Sequence, residues 1–97
     1  MSASVITIPD ITVTATPVSL LPQNNVGGHG SVHKWGVVSI QNNGAGVVYV
    51  GDSLVSATRK AAQLAAGQSW SITGSAIDPS LIFVMSTAGS TVSASGS

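Results

Sequence analysis

The stretch KWGVVSIQNNGAGVVYVGDS, residues Lys34 to Ser53, places two valine-rich runs on either side of the strongest turn signal in the chain. The β-branched and aromatic residues of both runs suit a pleated strand, and Asn43-Gly44 is the dipeptide that a tight primed turn favours. We therefore predict a β-hairpin, and Gly46 would lengthen its loop in an alternative register. With Asn43 and Gly44 at the centre of the turn, the predicted pairs are Ile40 with Val47, Val38 with Tyr49, and Val37 with Val50.

Both faces of this predicted hairpin carry valine or larger side chains in either register, whereas a solvated strand alternates apolar with polar residues. One face can fill a core. We expect the other face to need a second cover, either from another part of the same fold or from a neighbouring molecule.

The composition is unusual in its lack of charge. The 97 residues include three basic and three acidic residues, so that 6% are charged, against about 25% in an average soluble domain. A net charge near zero promotes association, and such a surface suits a subunit packed in an assembly. Cysteine is absent, which excludes a disulfide framework and a cysteine nucleophile.

The same composition argues against two classes of partner. Nucleic acid binding draws on clustered Lys and Arg, and this sequence has three such residues in all. We expect no membrane partner, because the longest apolar run is Leu81 to Met85 and the N-terminal MSASVITIPD lacks the features of a signal peptide. The protein is expected to be made and used without secretion.

Along the chain, the pattern predicts one domain in three parts. In residues 1–22, apolar residues alternate with threonines from Ile11 to Thr16 and prolines interrupt the segment, which predicts edge strands or an extended N-terminal arm. Residues 23–33 are a glycine-rich loop. Residues 34–97 form the body, with the apolar run from Leu81 to Met85 expected as a buried strand.

Residues 53–67 allow two interpretations. Leu54, Ala57, Ala61 and Leu64 have a helical spacing, whereas the serines, valine and threonine of this segment favour two short extended pieces joined by a turn near residues 58–62. We favour the extended pieces. Seven or eight short strands with frequent turns then predict an all-β fold, an antiparallel β-sandwich or small jelly-roll-like barrel.

Candidate sites for chemistry are few. His29, His33 and Asp52 are conceivable metal ligands, but His29 lies in the glycine-rich loop and we expect no metal, no cofactor and no enzymatic activity. The three aspartates precede turns or caps, where Asp accepts backbone hydrogen bonds.

We single out Trp35 and Trp70, each either a core anchor or an interface residue. The full set of predicted interface residues is Ile6, Ile8, Ile11, Val13, Trp35, Val37, Val48, Val50 and Trp70.

Three segments, SIQNNGAGVVYVGDSLVSA, QLAAGQSWSI and DPSLIFVMSTAGSTVSASG, resemble a small β-domain found among structural proteins of tailed bacteriophages. The resemblance covers a little over half the chain, from Ser39 to Ser95. Arg59-Lys60-Ala61 stands where members of that group commonly have glycine.

The resemblance implies a virion structural protein that is made in the host cytoplasm. The expected function is a capsid decoration or cement protein that binds the major capsid protein and forms a homo-oligomer, a dimer or trimer. The alternatives are a tail or neck adaptor that binds another virion protein, and a carbohydrate-binding module that stacks sugars on Trp35 or Trp70.

Overall fold

The computed structural model describes residues 6–22 and 34–97, and within these ranges the chain folds into two packed antiparallel sheets of four strands each. The strands of one sheet have seven to nine residues, whereas those of the other have two to four. Their bounds are β1 Ile6–Val13, β2 Val18–Ser19, β3 Trp35–Asn42, β4 Val48–Gly51, β5 Ala62–Leu64, β6 Ser69–Ile77, β7 Phe83–Met85 and β8 Ser90–Gly96.

The strand order is β1-β8-β3-β6 in one sheet, called sheet A below, and β2-β7-β4-β5 in the other, sheet B. The first described strand pairs with the last, the second with the seventh, the third with the sixth and the fourth with the fifth. This nested antiparallel scheme is the strand order of a jelly roll. The prediction of an all-β sandwich is confirmed.

The core lies between the two sheets. Alternate residues of each strand point into it, as the period of a half-buried strand requires. The buried apolar cluster consists of Ile8, Val13, Leu20, Trp35, Val38, Ile40, Val48, Val50, Leu64, Val84, Val92 and Ala94.

The predicted hairpin between residues 34 and 53 is wrong. β3 pairs with β6 and β8 in sheet A, while β4 pairs with β5 and β7 in sheet B. The segment from Asn43 to Val47 therefore crosses from one sheet to the other. Val38, Ile40, Val48 and Val50 belong to the same core cluster between the two sheets. Val37 and Tyr49, on the opposite faces of their strands, are half-buried, so the two runs do not form a hairpin with one uncovered face.

Asn42, at the end of β3, holds this crossover in place. The side chain is fully buried, and its Nδ2 donates to the carbonyl oxygens of Gly46 at 2.7 Å and Leu64 at 3.0 Å. Its Oδ1 accepts hydrogen bonds from Gly44 N at 3.1 Å and from Ser90 Oγ at 2.5 Å. All hydrogen-bonding capacity of the amide is used, which fixes a wide loop in place of a tight turn.

The glycines of the crossover are needed for space rather than for positive φ. In the described residues, positive φ occurs at Gly67 and Gly89 and not at Gly44 or Gly46. A Cβ on Gly44 would lie 2.7 Å from Thr91 N, and one on Gly46 would lie 2.8 Å from Ser86 Oγ. The loop thus packs directly against the turn between β7 and β8, where a side chain has no room.

Residues 1–22 were predicted to form either edge strands or an extended arm. The described part, residues 6–22, forms edge strands. β1 pairs with β8 along its length, with a bulge between Ile8 and Ile11. Ile8, Val13 and Leu20 fill the core, so this segment belongs to the sandwich itself. Residues 1–5 and the predicted loop at 23–33 lie outside the described residues.

The structure describes all of the segment from Asp52 to Gly67. This segment forms one strand, β5, and no α-helix. The extended interpretation is therefore confirmed for Ala62–Leu64, whereas residues 52–61 form an irregular loop. The predicted buried strand at Leu81 to Met85 is shorter than expected, because Pro79–Leu81 form a 3-10 turn and the strand is Phe83–Met85.

Candidate functional site

An open groove of about 510 Å³ lies where the two sheets separate, beside the edge strands β5 and β6. Its walls are mostly apolar, and one end carries charged side chains. The lining residues are Val50, Gly51, Asp52, Arg59, Lys60, Ala61, Trp70, Ile72, Leu81 and Ile82.

The groove exists because the two neighbouring edge strands differ in length. β6 has nine residues, whereas β5 has three. Trp70 and Ile72 pair with Ile40 and Val38 of β3 and so face the same side of sheet A as these core residues. The short β5 covers this side incompletely, which leaves Trp70 half-buried and Ile72 38% exposed.

A capped turn supplies the opposite wall of the groove. Asp78 Oδ1 accepts hydrogen bonds from Ser80 N at 3.0 Å and Ser80 Oγ at 2.6 Å, which stabilises the 3-10 turn Pro79–Leu81. The turn directs Leu81 outward, and its side chain is 70% exposed. Ile82, the next residue, is half-buried.

The polar end of the groove is an ion pair. Arg59 Nη2 and Asp52 Oδ2 are 2.6 Å apart, and Arg59 Nε lies 3.2 Å from both carboxylate oxygens. These hydrogen bonds from Arg59, with a further one from Leu54 N, lower the pKa of Asp52 below its ordinary value. Both side chains are more than half exposed, so the pair organises this end more than it stabilises the fold.

Lys60 completes the charged end. Its ammonium donates to the carbonyl oxygen of Ala57 at 2.7 Å and lies 5.8 Å from the centre of the Tyr49 ring, within range of a cation–π interaction. Because Arg59 and Asp52 neutralise each other, Lys60 leaves the rim with one net positive charge beside an apolar floor. The apolar floor suits an apolar ligand.

The outer face of sheet A is a second candidate surface. Thr7, Ser95, Ser39 and Ser71 are paired in that order and form a row of hydroxyls across the four described strands of the sheet. A depression of about 340 Å³ lies on this face. Its lining mixes hydroxyl, amide and carboxylate side chains with apolar surface from Ile8, Ile40 and Ala94.

The described residues contain no group of three or more His, Cys, Asp or Glu side chains that could hold a metal ion. His29 and His33 lie outside the described residues, and Asp52 is engaged by Arg59. The expectation that the aspartates accept backbone hydrogen bonds at turns is confirmed for Asp52 and Asp78.

The structure divides the predicted interface residues into two groups. Five lie in the core of the chain's own sandwich, where little of the side chain is exposed: Ile8, Val13, Trp35, Val48 and Val50. Four are partly exposed: Ile6, Ile11, Val37 and Trp70. Of the nine, Trp70 and Val50 line the groove. A contact with a partner stays a prediction for these residues.

Sequence reasoning missed Ile72 and Leu81, the exposed apolar residues of the groove. Leu81 belongs to an apolar run that was interpreted as one buried strand. The signal that could have separated it is Asp78-Pro79-Ser80, a capped turn that extends to Leu81 and delays the strand.

Comparisons with known proteins add no relative: no family model matches the chain, and no match was found among curated proteins or solved structures. Across residues 6–22 and 34–97, no helix has the length and apolar character needed to cross a membrane.

Proposed function

We propose that this protein is a non-enzymatic structural subunit of a tailed-bacteriophage particle, a decoration or cement protein that binds the capsid lattice and stabilises it. The resemblance of Ser39 to Ser95 to phage structural β-domains gives the setting. The observation that carries the proposal is the open groove, because it exposes Trp70, Ile72 and Leu81 on a chain with almost no charge.

The groove can bind a partner by burying its exposed apolar side chains. Fully burying an exposed leucine or isoleucine side chain contributes about 1.5–3 kcal/mol. Leu81 is 70% exposed and Ile72 38%, so each supplies a part of that amount to a binding site. The ion pair of Asp52 and Arg59 is already satisfied within the chain. We therefore assign the groove to an uncharged apolar segment of the major capsid protein.

A lattice multiplies a modest contact. Each copy of a cement protein binds next to others on repeating sites, and linked contacts raise the total affinity far above that of one site. The uncharged surface helps this arrangement, since neighbouring copies do not repel each other.

Immunogold electron microscopy of purified particles of the phage that encodes this chain tests the proposal. An antibody against the purified protein is expected to label heads in a regular distribution. Label confined to tails or necks would overturn the decoration role in favour of the adaptor alternative, and particles free of label would overturn both.

A carbohydrate-binding module is the second candidate, and the half-buried Trp70 ring in the groove favours it. Indole rings stack on sugar faces, and the nearby carboxylate of Asp52 can accept hydrogen bonds from sugar hydroxyls. Trp35 cannot take this role because it is fully buried. Retardation of the protein in gels that contain soluble polysaccharides, lost in Trp70→Ala, would support this candidate against the first.

A further inference from the structure

The edges of the two sheets are protected unequally. Within the described residues, β1, β6, β2 and β5 lie at edges. β1 carries Pro9, Asp10 and a bulge, and β2 and β5 have two and three residues. Prolines, charges, bulges and shortness are the usual devices that keep an edge from pairing with another chain.

β6 has no charge and no proline along its nine residues, SWSITGSAI. In the described part of the chain it pairs with β3 alone, so one row of its backbone N–H and C=O groups has no strand beside it. The ladder to β3 is regular from Ser69 to Thr73 and shifts before Ile77. The regular segment that can accept a new strand is therefore Ser69 to Thr73.

We propose that this segment pairs with the same segment of a second copy, antiparallel about a two-fold axis at Ser71, to form a symmetric homodimer. In that register Ser69 lies opposite Thr73 on the outer face of sheet A, and Ser71 lies opposite its own copy. Hydroxyl pairs and an aromatic residue opposite a β-branched one are both favourable cross-strand neighbours. Trp70 lies opposite Ile72 on the groove side, so the segment is complementary to itself.

The groove extends this interface. Trp70 and Ile72 line it from β6, so a two-fold axis at Ser71 brings these side chains of both copies together and joins the two grooves into one apolar surface. No charged residue lies in Ser69 to Thr73 to oppose the approach. The two sheets A then form one continuous eight-stranded sheet, and the contact is isologous, as a two-fold dimer requires.

This inference deepens the proposed assembly function, on which it rests for its biological setting. It names the partner surface as a second copy of the chain and the binding mode as strand addition through main-chain hydrogen bonds. The dimer would present two joined grooves to the lattice as a single bivalent unit.

Light scattering after size exclusion tests the dimer with the full-length protein. The wild-type protein is expected at twice the 9.6 kDa of one chain. Ser71→Lys places two ammonium groups at the axis and is expected to halve the mass, with dimer affinity reduced at least tenfold. The matched control is Thr7→Lys, an exposed outward-facing residue on the protected β1 edge, which is expected to remain dimeric.

Cross-linking gives an independent result if Ser71→Lys fails to fold. The chain has no cysteine, so Ser71→Cys is expected to form an intermolecular disulfide on mild oxidation, whereas Thr7→Cys is not. A monomeric wild type, a dimer unaffected by Ser71→Lys, or equal cross-linking of both cysteine variants would overturn the inference. A monomer that still labels phage heads would refute the dimer alone, whereas a dimer absent from particles would refute the proposed function alone.

Discussion

Ser90 Oγ donates a hydrogen bond of 2.5 Å to Asn42 Oδ1, although the two residues are 48 positions apart. The bond ties the end of β3 to the start of β8, and the other three bonds of the Asn42 amide tie the same point to Gly44, Gly46 and Leu64. One buried side chain thus joins both sheets at the point where the chain crosses between them.

Asn42→Ala is expected to lower the free energy of unfolding by about 2–4 kcal/mol, because it leaves several buried polar groups without partners. The matched control is Asn43→Ala, which removes a single exposed hydrogen bond to Ser93 Oγ and should cost about 0.5 kcal/mol or less. Urea denaturation followed by tryptophan fluorescence measures both. Equal losses in the two variants would show that the Asn42 network does not hold the crossover.

Gly96→Ala is expected to destabilise the sandwich by about 1–3 kcal/mol through overpacking. A Cβ at this position would meet Val37 O and lie 2.7 Å from Cε3 of the buried Trp35 ring. Gly36→Ala is the control, since its nearest neighbour would be Ser97 O at 3.6 Å, and it should be neutral or slightly stabilising. Thermal unfolding of the two variants checks the difference, and a Gly96→Ala protein as stable as wild type would contradict the packing beneath Trp35.

The two tryptophans are expected to differ sharply in their contribution to stability. Trp35 is 0% exposed in the core, so Trp35→Ala should cost about 3–5 kcal/mol. Trp70→Ala should cost clearly less, because Trp70 is half-buried at the groove. Chemical denaturation of the single variants measures this, and similar costs would mean that Trp70 is a core residue and not available to a partner.

Arg59→Gln is expected to raise the pKa of Asp52 toward its ordinary value, because the hydrogen bonds from Arg59 are the largest cause of its lowering. A carboxyl group whose pKa is lower in the folded than in the unfolded protein stabilises the fold at a pH above its unfolded pKa. This stabilisation is lost as the pH falls through the folded pKa. The contribution of Asp52 should therefore be present at neutral pH and disappear below its ordinary value of 3.8. Carboxyl NMR titration of wild type and variant measures the shift, and identical titration curves would contradict the ion pair.

The fold class followed from the sequence because its signals are local and repeated. β-Branched runs, frequent turns and alternating hydroxyls predict short strands wherever they occur. The pairing of those strands did not follow from local signals, since Asn43-Gly44 looks like a hairpin turn while Asn42 forms bonds to Leu64 and Ser90 that only the folded chain brings near. Glycines at positions 44 and 46 were interpreted as conformational signals, but the folded chain needs them for close packing.

The groove was only partly predictable for a related reason. Trp70 could be chosen by residue type, as an aromatic residue beside polar neighbours. Ile72 and Leu81 are exposed because β5 is much shorter than β6 and because a capped turn precedes β7. Exposure of this kind depends on which strands become neighbours, and that is set by the jelly-roll strand order.

The most direct test of the proposed capsid binding mixes the purified protein with phage heads that lack it and measures co-sedimentation. Variants of two exposed leucines serve as a matched pair. Leu81 lines the groove and is 70% exposed, whereas Leu54 is 66% exposed and lies outside the groove lining. Wild type and Leu54→Ser are expected to sediment with the heads, and Leu81→Ser is expected to bind at least tenfold more weakly while remaining equally stable. Wild-type protein that stays in the supernatant, or Leu81→Ser that binds as well as Leu54→Ser, would contradict the assignment of this groove to the capsid lattice.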